Sequence, residues 1–138
     1  MRAFVDTSTL FKKYVDEKGS QELEEMLEKV SDLTVSPITW VELNHIVARR
    51  LRGKSVTAEQ SSRILSEAEI DFRFYSQITW NEELVETATQ LAHRHPLKTL
   101  DAIQLASGLL SEADVFLTSD RRLFEEARKV TPKTRFIG

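Results

Sequence analysis

The sequence predicts an α/β fold in which a short and mainly parallel sheet lies between two layers of helices. Three short apolar runs carry this prediction: Ala3–Val5, Leu33–Val35 and Val115–Thr118. Each run is followed closely by residues that cap helices, and segments with helical spacing of apolar residues separate the runs. Short apolar strands that alternate with helices form parallel βαβ units. We therefore expect one three-layer α/β/α domain over residues 1–138.

Length and composition agree with this expectation. The chain has 138 residues, of which 41% are hydrophobic and 30% charged, as in folded globular proteins. It contains no cysteine, which excludes disulfides, thiolate metal sites and a cysteine nucleophile. No run approaches the roughly 20 apolar residues of a membrane span, and the first residues do not resemble a signal peptide. We expect a soluble, cytoplasmic protein with no membrane partner.

The charge of the chain is unevenly distributed. The formal net charge is −3, which taken alone is unfavourable for binding nucleic acid. Residues 49–54 nevertheless carry four positive charges in six positions, and the tail from Arg121 carries six basic residues against two acidic ones. The overall balance therefore does not decide the partner.

The first half of the chain contains the first two strands and four predicted helices. Thr7, Ser8 or Thr9 can cap the first helix, and Ser36 followed by Pro37 is a favourable helix start, because proline is tolerated at the first helical position. The expected helices run from one of residues 7–9 to the break at Gly19, from Ser20 through Val30, from Pro37 to about Arg52, and from Thr57 to about Phe72.

The second half contains the third strand and three further helices. Thr99 can cap the middle one of these helices, whose apolar residues lie at helical spacing. The expected elements are a β-rich segment at Phe74–Ile78, helices from Asn81 to about His95, from Thr99 to about Leu110 and near Arg121–Val130, and a last edge strand at Arg135–Ile137.

Two acidic residues directly follow predicted strands. Asp6 follows the first strand, and Asp120 follows the strand at Val115–Thr118. Ligands of open parallel sheets bind beyond the carboxyl ends of the strands, so both residues lie where functional sites form. Each could instead cap the next helix and complement its dipole. Neither reading is excluded by the sequence.

Two further acidic residues lie within or beside apolar helix faces. Glu42 falls between Ile38 and Ile46 on a helical wheel. An unpaired buried carboxylate costs several kcal/mol, so a salt bridge, for example to Arg49, is the structural alternative to a functional role. Asp101 lies in the first turn of a helix at the edge of its apolar stripe, where the helix dipole offers a similar alternative.

Together the four acidic residues indicate a metal site. In a parallel sheet their positions can converge on one end of the domain, where carboxylates repel one another unless they are protonated or bridged by cations. Ligands that are all oxygen favour Mg²⁺ or Mn²⁺ over zinc, and no histidine has ligand spacing with these residues. Such ions can bind a phosphodiester, polarise a water molecule and stabilise the leaving oxygen, as in many nucleases.

At this point the sequence resembles the PIN domain family, and most closely its VapC-type ribonuclease toxins. The resemblance covers essentially the whole chain and implies a Mg²⁺- or Mn²⁺-dependent endoribonuclease that acts on RNA, forms a homodimer and is inhibited by a cognate antitoxin protein. Carried over by position, the catalytic and metal-binding residues are Asp6, Glu42, Asp101 and Asp120. The matching segments are Phe4-Val5-Asp6-Thr7-Ser8, Glu42 after Ser36-Pro37, Leu100-Asp101-Ala102-Ile103-Gln104-Leu105-Ala106 and Leu117-Thr118-Ser119-Asp120.

Two positions depart from the residues common in that family. Ser119 stands where many members have asparagine, and Gln104 replaces a histidine that often follows the third acidic residue. We assign Gln104 no catalytic role from the sequence. Thr7, Ser8, Thr118 and Ser119 can either bind the carboxylates or cap helices.

Other functions remain as alternatives. A phosphatase of the haloacid-dehalogenase type needs a second aspartate two residues after Asp6, but Ser8 occupies that position. A dinucleotide-binding fold is excluded because the four glycines form no Gly-x-Gly-x-x-Gly loop. A PIN-like interaction module that binds a protein or RNA without cleaving it remains open.

Several basic and aromatic side chains are candidates for contacts with RNA. The basic ones lie close in sequence to the acidic residues and can bind flanking phosphates, or can be ordinary solvated side chains: Lys12, Lys13, Lys98, Arg121 and Arg122. Trp40 and Trp80 can stack on bases, but we expect both to pack in the protein interior.

Overall fold

The computed structural model describes residues 1–138 and contains seven helices and five strands. The strands are β1 (Arg2–Val5), β2 (Asp32–Val35), β3 (Ser76–Gln77), β4 (Val115–Thr118) and β5 (Thr134–Phe136). The helices are α1 (Thr7–Phe11), α2 (Ser20–Leu27), α3 (Thr39–Arg52), α4 (Ala58–Phe72), α5 (Glu82–Arg94), α6 (Thr99–Leu110) and α7 (Arg121–Val130). None of these helices has the length and hydrophobicity needed to cross a membrane.

All five strands form one parallel sheet, and helices cover both of its faces. Successive residues of a strand point to opposite faces: Ala3 and Val5 join a core formed with α1–α4, whereas Phe4 joins a second core formed with α5–α7. The predicted three-layer α/β/α architecture is therefore confirmed.

The strand order explains where a site can form. The order is β3-β2-β1-β4-β5, with every neighbouring pair parallel. The chain leaves β1 towards β2 on one side and later returns to β4 on the other side, so the direction of winding reverses between β1 and β4. A crevice opens beyond the carboxyl ends of the strands at such a point.

Three helices begin or end differently from the prediction. α2 ends at Leu27 instead of continuing to Val30. α1 ends at Phe11 instead of continuing to Gly19, because the next amides bond three residues back: Lys12 to Thr9 and Lys13 to Leu10, both at 3.0 Å. Such tighter turns end an α-helix. α3 begins at Thr39 rather than at Pro37, after a turn in which the Ile38 amide donates to Ser36 Oγ at 3.3 Å.

Other boundaries also shift. Lys98, not Thr99, is the N-cap of α6. The β-rich segment at Phe74–Ile78 contributes only the exposed two-residue strand β3, which pairs with the edge of β2. The last strand lies one residue earlier than predicted, at Thr134–Phe136.

The expectation for the two tryptophans is right for one and wrong for the other. Trp40 packs against the first core, with its ring edge-on to Phe72 at a centroid distance of 5.0 Å. Trp80 is 54% exposed, because it lies in the connection before α5, outside both cores.

Candidate active site

One pocket of about 670 Å³ is lined by all four predicted acidic residues. Asp6 follows β1, Asp120 follows β4, Glu42 lies on α3, and Asp101 lies on α6. The pocket therefore opens at the carboxyl end of the sheet, beside the point where the winding reverses. The convergence expected from the sequence is present, while the catalytic roles of the four residues remain predictions.

Asp6 is buried at the base of the pocket and also caps α1. Its Oδ1 accepts a hydrogen bond from the Thr9 amide at 3.0 Å, and its Oδ2 accepts one from Thr118 Oγ1 at 2.6 Å. Burial raises the pKa of Asp6, hydrogen bonds from Thr118 and Thr9 oppose the rise, and the nearby Asp120 charge adds to it. The geometry thus agrees both with Asp6 as the N-cap of α1 and with Asp6 as part of a functional site.

Asp120 is connected to Asp6 through a single threonine. Thr118 Oγ1 donates to Asp6 and accepts a hydrogen bond from the Asp120 amide at 3.1 Å. Asp120 also caps α7, because its Oδ1 accepts from the Leu123 amide at 3.0 Å. Its Oδ2 makes no hydrogen bond, so that oxygen remains available for a ligand.

Glu42 is held by neutral hydrogen-bond donors. Its Oε1 accepts from Thr7 Oγ1 at 2.8 Å and from Gln104 Nε2 at 2.6 Å, and its Oε2 has no partner. The predicted alternative of a salt bridge to Arg49 is wrong, since no basic group lies within 4.0 Å of the Glu42 carboxylate. Two neutral donors stabilise the carboxylate at that position without cancelling its charge.

Gln104 is the site residue that the sequence did not identify. It is buried on α6, and its Nε2 donates to Thr7 Oγ1 at 2.9 Å as well as to Glu42. Its Oε1 is the single buried side-chain polar atom without a hydrogen-bond partner. The available signal was a polar amide three residues after Asp101, on the same face of a mainly apolar helix.

Asp101 is half-buried at the start of α6, and its carboxylate makes no hydrogen bond within the protein. Desolvation raises its pKa to about 6, with smaller contributions from the charges of Asp120, Asp6 and Glu42. The charge of each of the other three carboxylates thus raises the pKa of Asp101. A cation bound among them would relieve this repulsion.

The donor set of the pocket fits a hard divalent cation in its chemistry. Free carboxylate oxygens remain on Asp101, on Glu42 and on Asp120, and oxygen ligands are those that Mg²⁺ and Mn²⁺ prefer. In the present arrangement, however, no three acidic or histidine side chains approach closely enough to hold one ion together. Binding would therefore require these side chains to move towards the ion.

The rest of the pocket wall is mainly apolar, with two basic residues. Val41 and Leu100 are exposed there, at 70% and 49% of their surface. His45 and Arg49 of α3 are the basic residues of the wall.

The five basic residues proposed from the sequence do not line this pocket. Lys12 and Lys13 form ion pairs with Glu17 and Asp71. Arg121 lies over the ring of Phe136, with its guanidinium carbon 3.7 Å from the ring centroid.

Three solved structures share this fold at low sequence identity. A toxin–antitoxin complex from Klebsiella pneumoniae is 18% identical, with a TM-score of 0.71 over 99% of this chain and 98% of that chain. VapBC2 from Rickettsia felis, bound to a DNA fragment from its promoter, is 14% identical, with a TM-score of 0.67 over 99% and 97%. VapBC-1 from nontypeable Haemophilus influenzae is 18% identical, with a TM-score of 0.65 over 99% and 98%.

The sequence itself matches a family profile. No curated protein matches the chain, but the profile of the PIN domain matches residues 3–130. That match spans β1 through α7 and contains all four acidic residues of the pocket. The chain therefore belongs to the PIN domain family.

Proposed function

We propose that this protein is a metal-dependent endoribonuclease that hydrolyses RNA phosphodiester bonds, and that it is the toxin of a type II toxin–antitoxin pair. The observation that carries the proposal is the meeting of four carboxylates, from four separate elements, in one pocket of a PIN-family fold. Asp6, Glu42, Asp101 and Asp120 are the proposed metal-binding and catalytic residues. The proposed cofactor is Mg²⁺ or Mn²⁺.

The environments of the pocket residues suggest a different role for each of them. A bound divalent ion supplies a Lewis acid that polarises a phosphate oxygen and an attacking water molecule. Thr118 fixes Asp6 and the backbone of Asp120, and Gln104 fixes one oxygen of Glu42. Asp101 makes no such bond, and a pKa of about 6 leaves its carboxylate mostly deprotonated at neutral pH.

Partners and location follow from the same proposal. The similar structures from Klebsiella, Rickettsia and Haemophilus are of toxin–antitoxin or VapBC complexes, which supports a cognate antitoxin as a partner. We propose in addition that residues 1–138 form a single domain, that the protein is a homodimer, and that it acts in the cytoplasm, where its RNA substrate is found.

Cleavage of a mixed RNA pool tests the proposal. We expect the wild-type protein to cleave RNA in the presence of Mg²⁺ or Mn²⁺ and not in EDTA. We expect the cleavage rate of Asp6→Asn to be at least about 100-fold lower, because the charge that binds the ion is removed. Asparagine is an equally good N-cap, so Asp6→Asn should remain folded, as checked by circular dichroism.

A matched control separates the site from general charge effects. Asp114 precedes β4, at the opposite end of the strand from Asp120, and accepts a hydrogen bond from the Arg2 amide at 2.8 Å. Asp114→Asn should cleave RNA like the wild-type protein. If the folded wild-type protein cleaves no RNA with either ion, the non-catalytic interaction module becomes the better account.

A further inference from the structure

The acidic pocket continues into a line of basic residues along α3. His45 and Arg49 follow Glu42 by three and seven residues, and all three line the pocket. Residues at these spacings share one face of a helix. At a rise of 1.5 Å per residue, Arg49 lies about 10 Å further along the helix axis than Glu42.

Arg49 is exposed and has no charge partner. No carboxylate lies within 4.0 Å of its guanidinium group. The next residue, Arg50, differs in both respects, because it pairs with Glu17 at 3.0 Å and covers the ring of Phe11 at 4.5 Å. The helix dipole favours a basic residue at either position, so it does not explain why Arg49 faces the pocket unpaired.

An RNA strand requires positive charge at such a distance from the acidic centre. Each nucleotide carries a negative phosphate, and a cation at the carboxylates neutralises only the phosphate that it contacts. The carboxylates repel the neighbouring phosphates. Arginine binds phosphate with a planar fork of N–H donors, and Arg49 is the free arginine of the pocket wall.

The size of the pocket favours a single strand. A volume of about 670 Å³ lies within the range that holds one small ligand, which suits one or two extended nucleotides. The exposed side chains of Val41 and Leu100 line the same pocket and offer an apolar surface for a base.

We propose that Arg49, with His45 beside it, forms a subsite for a phosphate that flanks the scissile bond of single-stranded RNA. The strand then runs from the four carboxylates along the exposed face of α3. This inference rests on the proposed ribonuclease function and adds the direction in which the substrate lies. Arg49 acts in binding the substrate and not in the chemical step.

Steady-state kinetics on a single-stranded RNA oligonucleotide, at several NaCl concentrations, test the subsite. For Arg49→Ala we expect KM to rise ~10-fold, as for a lost hydrogen bond to a charged group, with kcat within about two-fold of wild type. The negative slope of log(kcat/KM) against log[NaCl] should become shallower by about 0.7, because one phosphate contact with a single strand is lost. Arg49→Lys should recover part of the KM effect, since it restores the charge without the fork.

The control is Arg128→Ala, which removes the same charge from an exposed residue near the end of α7, outside the pocket. It should match the wild-type protein in KM and in salt slope. Because Arg49 is exposed, the unfolding temperature of Arg49→Ala should equal that of the wild-type protein. If it does not, Arg49→Gln provides a second neutral variant.

Each outcome has a distinct meaning. An RNA-cleaving wild-type protein whose Arg49→Ala and Arg49→Gln variants keep the same KM and salt slope overturns the subsite and leaves the proposed function intact. A fall in kcat at constant KM also overturns it. A wild-type protein that neither binds nor cleaves the oligonucleotide with Mg²⁺ or Mn²⁺ overturns the proposed function, and the subsite with it.

Discussion

Among single residues of the pocket, neutral groups rather than cations hold the carboxylates of Asp6 and Glu42. Glu42 accepts from a hydroxyl and an amide, and Asp6 accepts from Thr118 and from the Thr9 amide. Such bonds fix the orientation of a carboxylate but leave its negative charge in place. The pocket consequently keeps the charge that a divalent ion would need.

Substitution of Gln104 tests this role of a neutral donor. Gln104→Leu keeps similar volume but removes the 2.6 Å hydrogen bond to Glu42. We expect the affinity for Mn²⁺, measured by calorimetric titration, to fall roughly 10- to 100-fold, as for other residues that orient metal ligands. The free energy of unfolding should change little, because the unpartnered Oε1 disappears together with the bond.

The exposed Gln90 of α5 makes no side-chain hydrogen bond and provides the matched control, Gln90→Leu. Unchanged Mn²⁺ affinity in Gln104→Leu would show that Gln104 only fills space. A reduction of equal size in both variants would count against a specific role as well.

The four acidic residues could be chosen from the sequence because a charge at a strand end or in an apolar helix face is conspicuous. Gln104 was not chosen, since its position three residues after Asp101 does not identify a hydrogen-bond partner 62 residues away. Arg49 was considered only as a partner of Glu42. Its free position along α3 depends on tertiary packing, which brings Thr7 and Gln104 to Glu42 instead.

Among the elements, α6 carries three pocket residues, and a glycine sets its distance from the sheet. A Cβ atom at Gly108 would lie 2.3 Å from the ring of Phe116 and 3.2 Å from that of Phe4. The two rings are buried and stacked on each other, with centroids 5.3 Å apart. The helix can therefore approach the rings this closely only without a side chain at Gly108.

Gly108→Ala should therefore destabilise the protein. Alanine is favoured over glycine within a helix by about 1 kcal/mol, but overpacking of a filled core costs about 1–3 kcal/mol. We expect a net decrease of about 1 kcal/mol in the free energy of unfolding, measured in urea. Gly53→Ala is the control, because its new Cβ would meet only ordinary contacts at 3.4 Å or more; equal stability of both variants would refute the close approach of α6.

The order and type of the helices and central strands were predictable, because each has a clear period of apolar residues. The exact ends of the helices and strands were less predictable. The sequence at Ser36-Pro37 favours a helix start, yet the chain first makes a turn and begins α3 at Thr39. The short strand β3 has no apolar signal of its own, since its two residues are exposed and depend on pairing with β2.

In the whole molecule, the sheet topology brings like charges together at the expense of stability. Elements from residue 6 to residue 120 contribute carboxylates to one pocket, and burial together with the three neighbouring charges raises the pKa of Asp101 to about 6. A raised pKa in the folded state means that folding is favoured while Asp101 is protonated. This contribution is complete below pH ~4 and is lost as the pH rises through about 6.

Thermal and urea unfolding of the wild-type protein and Asp101→Asn, with and without Mn²⁺, tests most directly whether the four carboxylates form one cation site. Without the ion at pH 7, Asp101→Asn should be more stable by about 1 kcal/mol, a reduced value because solvent screens a half-exposed group. The difference in stability should vanish below pH ~4.

With Mn²⁺ at 100 times its dissociation constant, the free energy of unfolding of the wild-type protein should rise by about 2.7 kcal/mol, which makes it the more stable of the two. If Asp101→Asn is less stable without the ion, or if Mn²⁺ stabilises both proteins equally, the carboxylates do not share a cation site.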